Sequence, residues 1–491
     1  MGFLHAVRQK ATALTARQAL TCLLLAFVLS RLLAGWAGLR YDAQPLGSYF
    51  QYLDPQWLRH DLLRSLLCLH MQPPLFNLGL GLVLKAFPED FPVAFQVLYL
   101  ACGLALHLGL FLLLVRLEIP RFASLLLTLP FMLSPACLLY ENWLFYTYPL
   151  AAWLCLSALL LHRLLRAPTW GGGLLFFGAL GAIALTRSLF HLGWFLFWAG
   201  LLLWAVKPSR KTLAWAAAFP LLLLVAWQAK NAVLFGSFTS STWLGFNLSR
   251  ITTFELPAEE RRARVAAGEL SDLALIRPFA PLNCYPACRG VPPDRPIPAL
   301  DQELKSTGHA NYNHRDYTRI SRLYAQDAWR VLARQPRAYL DGVASAWLFF
   351  FIPSSDYELV AANREHILSW DRGFNRYVLG QLRGRDERTR PERSLEDVGA
   401  WLVLGYFAAV GGGLLFLRRA RRGGVPLADP TFLTVLYLLL NVLYVAVVGN
   451  ALEAGENNRF RFMIDPLALA LLAWSVNQFA RQFRAAVPRP S

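Results

Sequence analysis

Residues 41–76 read YDAQPLGSYFQYLDPQWLRHDLLRSLLCLHMQPPLF, a polar stretch set between the apolar run Ala19 to Leu39 and the apolar sequence that follows Pro74. It carries three carboxylates, Asp42, Asp54 and Asp61, and closes on His70-Met71-Gln72-Pro73-Pro74-Leu75-Phe76. Crossing a bilayer requires none of these groups, and ionisable side chains near hydrocarbon are costly enough to mark function by default. The stretch therefore reads as an active-site loop.

The surrounding sequence makes this an all-α polytopic membrane protein. Of 491 residues, 56% are apolar and only 16% charged, with 16 Trp, a balance far from that of a soluble domain. Ala19–Leu39, Pro92–Val115, Phe122–Leu139, Leu150–Leu165, Trp215–Val233, Trp401–Leu417, Phe432–Val448 and Pro466–Phe479 each approach the length that crosses about 30 Å of hydrocarbon at about 1.5 Å per residue. The run Gly171–Val206 is long enough for two short crossings. Arg8, Lys10 and Arg17 precede an apolar stretch without a small-residue cleavage site, the pattern of a signal anchor.

A net charge of +17 could suggest nucleic acid, but the basic residues gather at span ends, where they set orientation. Placing Arg8–Arg17, Arg116 with Arg121, Arg163 with Arg166, Lys207–Lys211, Arg418–Arg422 and Arg481–Arg489 on the inner side sends the loop at 40–73 outward. Pro73 to Val115 must then cross an odd number of times, so Pro74 to Phe87 is expected as a half-helix or interfacial segment. Gly171–Val206 goes out and back, turning near Thr186-Arg187-Ser188. The expected organisation is an N-terminal membrane module (1–235), an external α or α+β cap (236–398) with an interfacial helix near 339–352, and C-terminal membrane helices (399–491). Glu453 to Arg461 lies outside before the last span, giving 10 to 12 membrane segments in all. Cys284 and Cys288 fall in the outer cap, where a disulfide is the favoured use over free thiols; the other five cysteines serve as small hydrophobes. No Walker loop, dinucleotide fingerprint, zinc-ligand spacing or fixed-period repeat is present.

With this topology the polar groups embedded in apolar sequence arrive on one side: Asp42, Asp54, Asp61 and His70; Glu141; Arg187 and His191; Asn231 and Asn247; Glu453, Glu456, Arg459 and Arg461. A shared outer cavity is the simplest reading. Guanidinium forks onto phosphate oxygens, and a partly buried carboxylate can take a proton from an attacking hydroxyl. The combination suits a lipid-phosphate-linked donor and an external acceptor. Each residue also has a structural reading. Asp42 can be a loop residue at a helix end, and Asp54, before Pro55, an N-cap. Asp61 and His70 can share the polar face of an interfacial helix. Glu141 can belong to an aromatic belt with Tyr140, Trp143, Tyr146 and Tyr148, and Arg459 and Arg461 can snorkel at a span boundary. Asn247 fits either substrate orientation or a helix cap.

The order of features resembles the GT-C membrane glycosyltransferases, in particular the branch of protein O-mannosyltransferases and the lipid A aminoarabinose transferase (glycosyltransferase family 39). The resemblance rests on Asp42, Pro73-Pro74-Leu75-Phe76, Ser134-Pro135, Leu185-Thr186-Arg187, Trp227-Gln228-Ala229-Lys230-Asn231 with Phe235-Gly236, Gly245-Phe246-Asn247-Leu248, and Glu456, Arg459, Arg461 and Pro466. It implies a GT-C-like bundle and inverting transfer of a sugar from a polyprenyl-phosphate donor to a lipid, glycan or protein acceptor at the outer face of the inner or plasma membrane, without nucleic acid. Asp42 is then the catalytic base, and Asp54, Asp61, His70, Glu141, Arg187, Asn247, Arg459 and Arg461 contact substrate. The family's Asp-Glu pair is Asp42-Ala43 here, and its Thr-Arg-Pro is Thr186-Arg187-Ser188, which leaves a divalent cation open and the choice among Asp42, Asp54 and Asp61 unsettled. Two other classes share the membrane and the lipid: a lipid or oligosaccharide transporter or flippase, whose sites sit at the midplane within inverted repeats, and an O-antigen-type polymerase or ligase, whose donor carries a pyrophosphate.

Overall fold

The computed structural model describes residues 14–291, 293–383 and 394–486; Arg8, Lys10 and Arg489 lie outside the described residues. Its principal helices are α1 (Ala16–Trp36), α2 (Pro55–His60), α3 (Leu62–Leu67), α4 (Pro74–Ala86), α5 (Phe91–Arg116), α6 (Arg121–Met132), α7 (Pro135–Glu141), α8 (Thr147–Arg166), α9 (Trp170–Thr186), α10 (Leu192–Ala205), α11 (Arg210–Phe235), α12 (Leu244–Arg250), α13 (Asp316–Arg334), α14 (Pro336–Phe351), α15 (Leu368–Tyr377), α16 (Ala400–Arg422), α17 (Pro430–Leu452) and α18 (Asn457–Ala486). Seven are long and apolar enough to cross a membrane, eight with the bent pair α6–α7 taken as one span, and α4, α9 and α10 are shorter apolar helices. Among the described residues the only β pairing is three isolated bridges, so the described part of 236–399 is helical without a sheet.

Several helix starts follow one local rule. Asp54-Pro55, Ser134-Pro135 and Asp429-Pro430 each place a side-chain acceptor at the N-cap and Pro at the first turn, where its missing N–H costs nothing. Asp54 accepts from the Gln56 amide at 2.8 Å, Ser134 from Cys137 at 3.2 Å and Asp429 from Phe432 at 2.8 Å. Two of these starts shape the site. Pro55 begins a helix inside the first loop, and Pro135 restarts the span after α6 with a 62° bend.

The 41–76 loop is held by the segment at 236–399, far away in sequence. Asp54, fully buried, accepts the Ser306 amide and the Ser306 hydroxyl, the latter at 2.6 Å. Lys305 Nζ donates to the Tyr49 carbonyl at 2.7 Å, and Thr307 donates to Gly47 at 2.8 Å. Close by, Asn313 donates to the Cys68 carbonyl and accepts the His70 amide. At the other end of the bundle the basic clusters meet: Arg481 pairs with Glu118 at 2.7 Å, and Arg419 donates to Gln482.

Two expectations change, for the start of the last helix and for the cysteine pair. The last helix starts at Asn457 and encloses Pro466, so Arg459 and Arg461 belong to its first turns, not to an outer loop; each guanidinium finds partners there, described below. The stretch 339–352 is the greater part of α14, which packs against α17 and α18. Cys284 and Cys288 are free thiols, one exposed and one buried, on two successive 3-10 turns, so they point into different surroundings.

Lys305 is 3% exposed, and burial, opposed only by Asp54, lowers its pKa from 10.5 to about 7. Between those values the unfolded chain holds a proton that the folded chain does not, so stability rises with pH. The thermal midpoint of detergent-solubilised protein should therefore climb from pH 7 to pH 9, and a Lys305→Met variant should lose that increment. Equal pH slopes for the two proteins would contradict it.

Candidate functional site

A cavity of about 610 Å³ lies in the size range of small-molecule sites. It is formed where the α9–α10 turn, the end of α11, the α12 helix and the α17–α18 junction converge. Arg187 enters it because α9 ends at Thr186 and the chain turns before α10. Its guanidinium lies 4.3 Å from the Phe460 ring centroid, donates to the Tyr146 hydroxyl and stands 3.7 Å from Glu453. On α12, Asn247 and Arg250 occupy i and i+3 and so share a face; Arg250 reaches Glu453 at 3.9 Å. Burial and the neighbouring Glu456 raise the Glu453 pKa above the ordinary carboxylate range. Burial alone would do the same to Glu456, but Arg459 and Arg250 hold it down, to about 2.

The wall of this cavity contains polar atoms without partners among the described residues: Arg187 Nε, Trp243 Nε1 and Gln51 Oε1. Buried orphan groups cost about 1–3 kcal/mol each unless something pairs with them. Around the mouth, Leu196, Phe238, Leu244 and Leu452 are exposed and apolar. The cavity thus joins a cationic, hydrogen-bonding interior to a greasy opening.

Asp42 is elsewhere. It lines a separate cavity of about 260 Å³ with Arg40, Gln44, Trp143, Asn363 and His366. Its backbone is bridged to Trp143, accepting from Leu144 at 2.9 Å and donating to Asn142 at 2.8 Å, and its carboxylate accepts the Gln44 amide at 2.9 Å. Burial raises its pKa, against that one hydrogen bond. Between Asp42 and Arg187 stands an aromatic wall: Trp143 stacks on Phe145 at 4.5 Å, Phe145 meets Tyr146 at 4.1 Å, and Tyr146 lies under Arg187. The single outer cavity expected to unite Asp42 with Arg187 is therefore two cavities.

The other expected site residues divide in the same way. Asn247 shares the Arg187 cavity. Asp54 is the N-cap and clamp already described, and Asp61 is exposed between α2 and α3; neither lines a cavity described here. His70 is fully buried, with Nε2 at 3.0 Å from the Asn313 carbonyl and Nδ1 at 2.8 Å from Thr242 Oγ1. Nε2 therefore carries the proton and Nδ1 accepts from the hydroxyl. Burial drives its pKa down to about 3, so it is a neutral crosslink. Glu141 is engaged by Arg31 through two contacts of 2.8 Å and by Tyr148 at 2.6 Å, facing a cavity of about 350 Å³ beside α1. Arg459, 0% exposed, pairs with Glu456, donates to Thr147 at 3.2 Å and lies over Phe145. Arg461 donates to the Phe350 and Ile352 carbonyls at 2.6 and 2.7 Å and to Ser354 at 2.6 Å. Both arginines are buried and braced by protein partners, with Arg459 Nε left unpartnered among the described residues. Among the described residues no three His, Cys, Asp or Glu side chains converge in a metal-like group.

Comparison with protein-family models, with curated proteins and with solved structures returns no match to this chain. The site therefore stands on its own geometry. Arg250 and Glu453 are the residues that the candidate set omitted. The i, i+3 spacing of Asn247 and Arg250 on one short helix was a signal for the first. Glu453 stood out only as one acid in a polar cluster, and its position between two arginines is a tertiary fact.

Replacing Glu456 by Gln leaves Arg459 buried without its counter-charge, a change that costs about 3–5 kcal/mol. Thermal unfolding should show a large loss for Glu456→Gln and a smaller one for Glu453→Gln, whose carboxylate stands further from its arginines.

Proposed function

We propose that this chain is an integral membrane glycosyltransferase that takes a sugar from a polyprenyl-phosphate donor and passes it to an acceptor on the outer face of the inner or plasma membrane. The observation that carries the reading is the Arg187 cavity: two arginines, orphan donor and acceptor groups, and an exposed apolar mouth. Phosphate suits the arginines, sugar hydroxyls suit Trp243 Nε1 and Gln51 Oε1, and a polyprenyl chain suits the mouth. Arg187 and Arg250 against Glu453 leave one net positive charge, a match for a phosphodiester and less so for the pyrophosphate of a polymerase or ligase donor. Counted with the bent pair and the three shorter apolar helices, the membrane segments fall within the 10 to 12 of a GT-C-like bundle, with 236–398 as its external cap.

In this reading the acceptor enters the polar cavity of Asp42, and Asp42 takes the proton from its hydroxyl as oxygen attacks the anomeric carbon. The bond from that carbon to the donor phosphate oxygen breaks, and Arg187 and Arg250 hold the departing polyprenyl phosphate. The Trp143–Phe145 wall must shift for the two cavities to join. The N-cap and clamp role of Asp54, the position of Asp61 outside both cavities and the pairing of Glu141 with Arg31 favour Asp42 as the base, with Glu453 as the carboxylate on the donor side.

Purified protein with a labelled polyprenyl-phosphate sugar provides the test. Asp42→Asn should lower release of polyprenyl phosphate by about 10²–10⁴-fold while donor binding holds, and Arg187→Ala should weaken donor binding by about 10- to 100-fold. Full turnover in Asp42→Asn with loss in Glu453→Gln would move the base to Glu453. Donor that binds and crosses the bilayer with no release of polyprenyl phosphate would replace the enzyme by a carrier.

A further inference from the structure

On the flank of α18 opposite the donor cavity lies a second elongated space, about 340 Å³, between α6, α16 and α18. Residues 460 and 462 of α18 stand about 200° apart at about 100° per residue, so Phe460 lines the Arg187 cavity and Phe462 this groove. The groove walls are apolar, and α16 is the least buried of the long spans, with 17% of its window inside the protein. Its side therefore opens toward whatever surrounds the bundle.

One end of the groove is polar. Asp465 sits two turns into a span, where an ionisable group is costly and marks a site by default. Its carboxylate accepts from the Tyr406 hydroxyl at 2.6 Å and from Arg461 Nε at 3.3 Å, and it stays one-fifth exposed. Arg461 gives three of its four remaining N–H groups to two backbone carbonyls and Ser354. The polar end thus pairs one anion with one cation whose N–H groups are mostly engaged. It offers an open carboxylate acceptor and a single spare guanidinium N–H, the reverse of the two loosely paired arginines in the Arg187 cavity.

We propose that this groove binds a membrane lipid with an uncharged, hydroxyl-bearing headgroup, the hydroxyl donating to Asp465 and the chain lying between α16 and α18. This goes beyond the transferase reading and does not depend on it, because it assigns a second lipid class to a separate site. Such a lipid pairs the exposed carboxylate oxygen without bringing a charge that the groove cannot neutralise, and its chain fills space that the spans leave open.

Gly405 supplies a means of blocking the site. A Cβ there meets only Leu472 Cδ2, at an ordinary 3.6 Å, so a larger side chain projects into the groove without displacing backbone. The full-length protein in nanodiscs would be irradiated with diacylglycerol carrying a diazirine near the end of its acyl chain, and labelled peptides mapped. Labelling at residues 400–406 and 465–472 should saturate, be competed by unlabelled diacylglycerol but not by phosphatidylglycerol, and fall about tenfold in Gly405→Leu. Leu402→Trp, on the same wall, is the second blocking variant, and unchanged thermal midpoints establish that each variant folds. Labelling that does not saturate, that both lipids compete equally, or that neither folded variant reduces would overturn the proposal.

Discussion

Two guanidinium groups in the first turns of the last helix, Arg459 and Arg461, are 0% and 1% exposed, and much of the structure answers their need for partners. Stripping water from such an ion costs several kcal/mol even after relaxation, so every contact must be supplied by protein. The partners come from distant parts of the chain: Thr147 and the Phe145 ring from the α8 region, Glu456 from the preceding turn, and Phe350, Ile352 and Ser354 from the segment at 236–399. By binding the end of α14, Arg461 fixes that segment on the membrane bundle. By lying over Phe145, Arg459 backs the aromatic wall between the cavities. The helix that carries them has the Arg187 cavity on one side and the groove beside α16 on the other.

The two lateral spaces differ in charge for a local reason. In the Arg187 cavity the arginines outnumber the acid that faces them, and both ion pairs stand at 3.7 Å or more, so the guanidiniums keep capacity for a ligand. In the groove, Arg461 gives most of its N–H groups to backbone and hydroxyl acceptors, and Asp465 is the group left partly open. One residue type is thus loosely paired at one site and acts as a brace at the other. What separates the roles is how many of its hydrogen bonds the fold already uses.

The helical, multi-span character was legible in the sequence, because apolar length is a property of single segments. The N-cap at Asp54 could be read from Asp54-Pro55, and the importance of Arg187 from its place inside an apolar run. The site was legible only in part. Asp42 and Arg187 both face cavities, but whether these are one cavity depends on how Trp143, Phe145 and Tyr146 pack, and no spacing rule encodes that. Arg459 and Arg461 carried the signature of phosphate ligands, since a buried arginine looks the same in sequence whether its partner is a substrate or a carbonyl. His70 misled similarly: its neighbours in space, Thr242 and Asn313, are far along the chain.

The clamp between Asp54 and Ser306 joins residues 252 positions apart. At about 5–20 residues per second, the ribosome needs on the order of 10–50 s between making the carboxylate and making the hydroxyl that caps it. Throughout that interval the first loop is outside its final setting while the spans that follow are inserted. The order of synthesis therefore splits the bundle around the loop's anchor: the spans between residues 74 and 235 are made before Ser306 and the last three after it, and the acid that anchors the loop waits for a partner not yet translated.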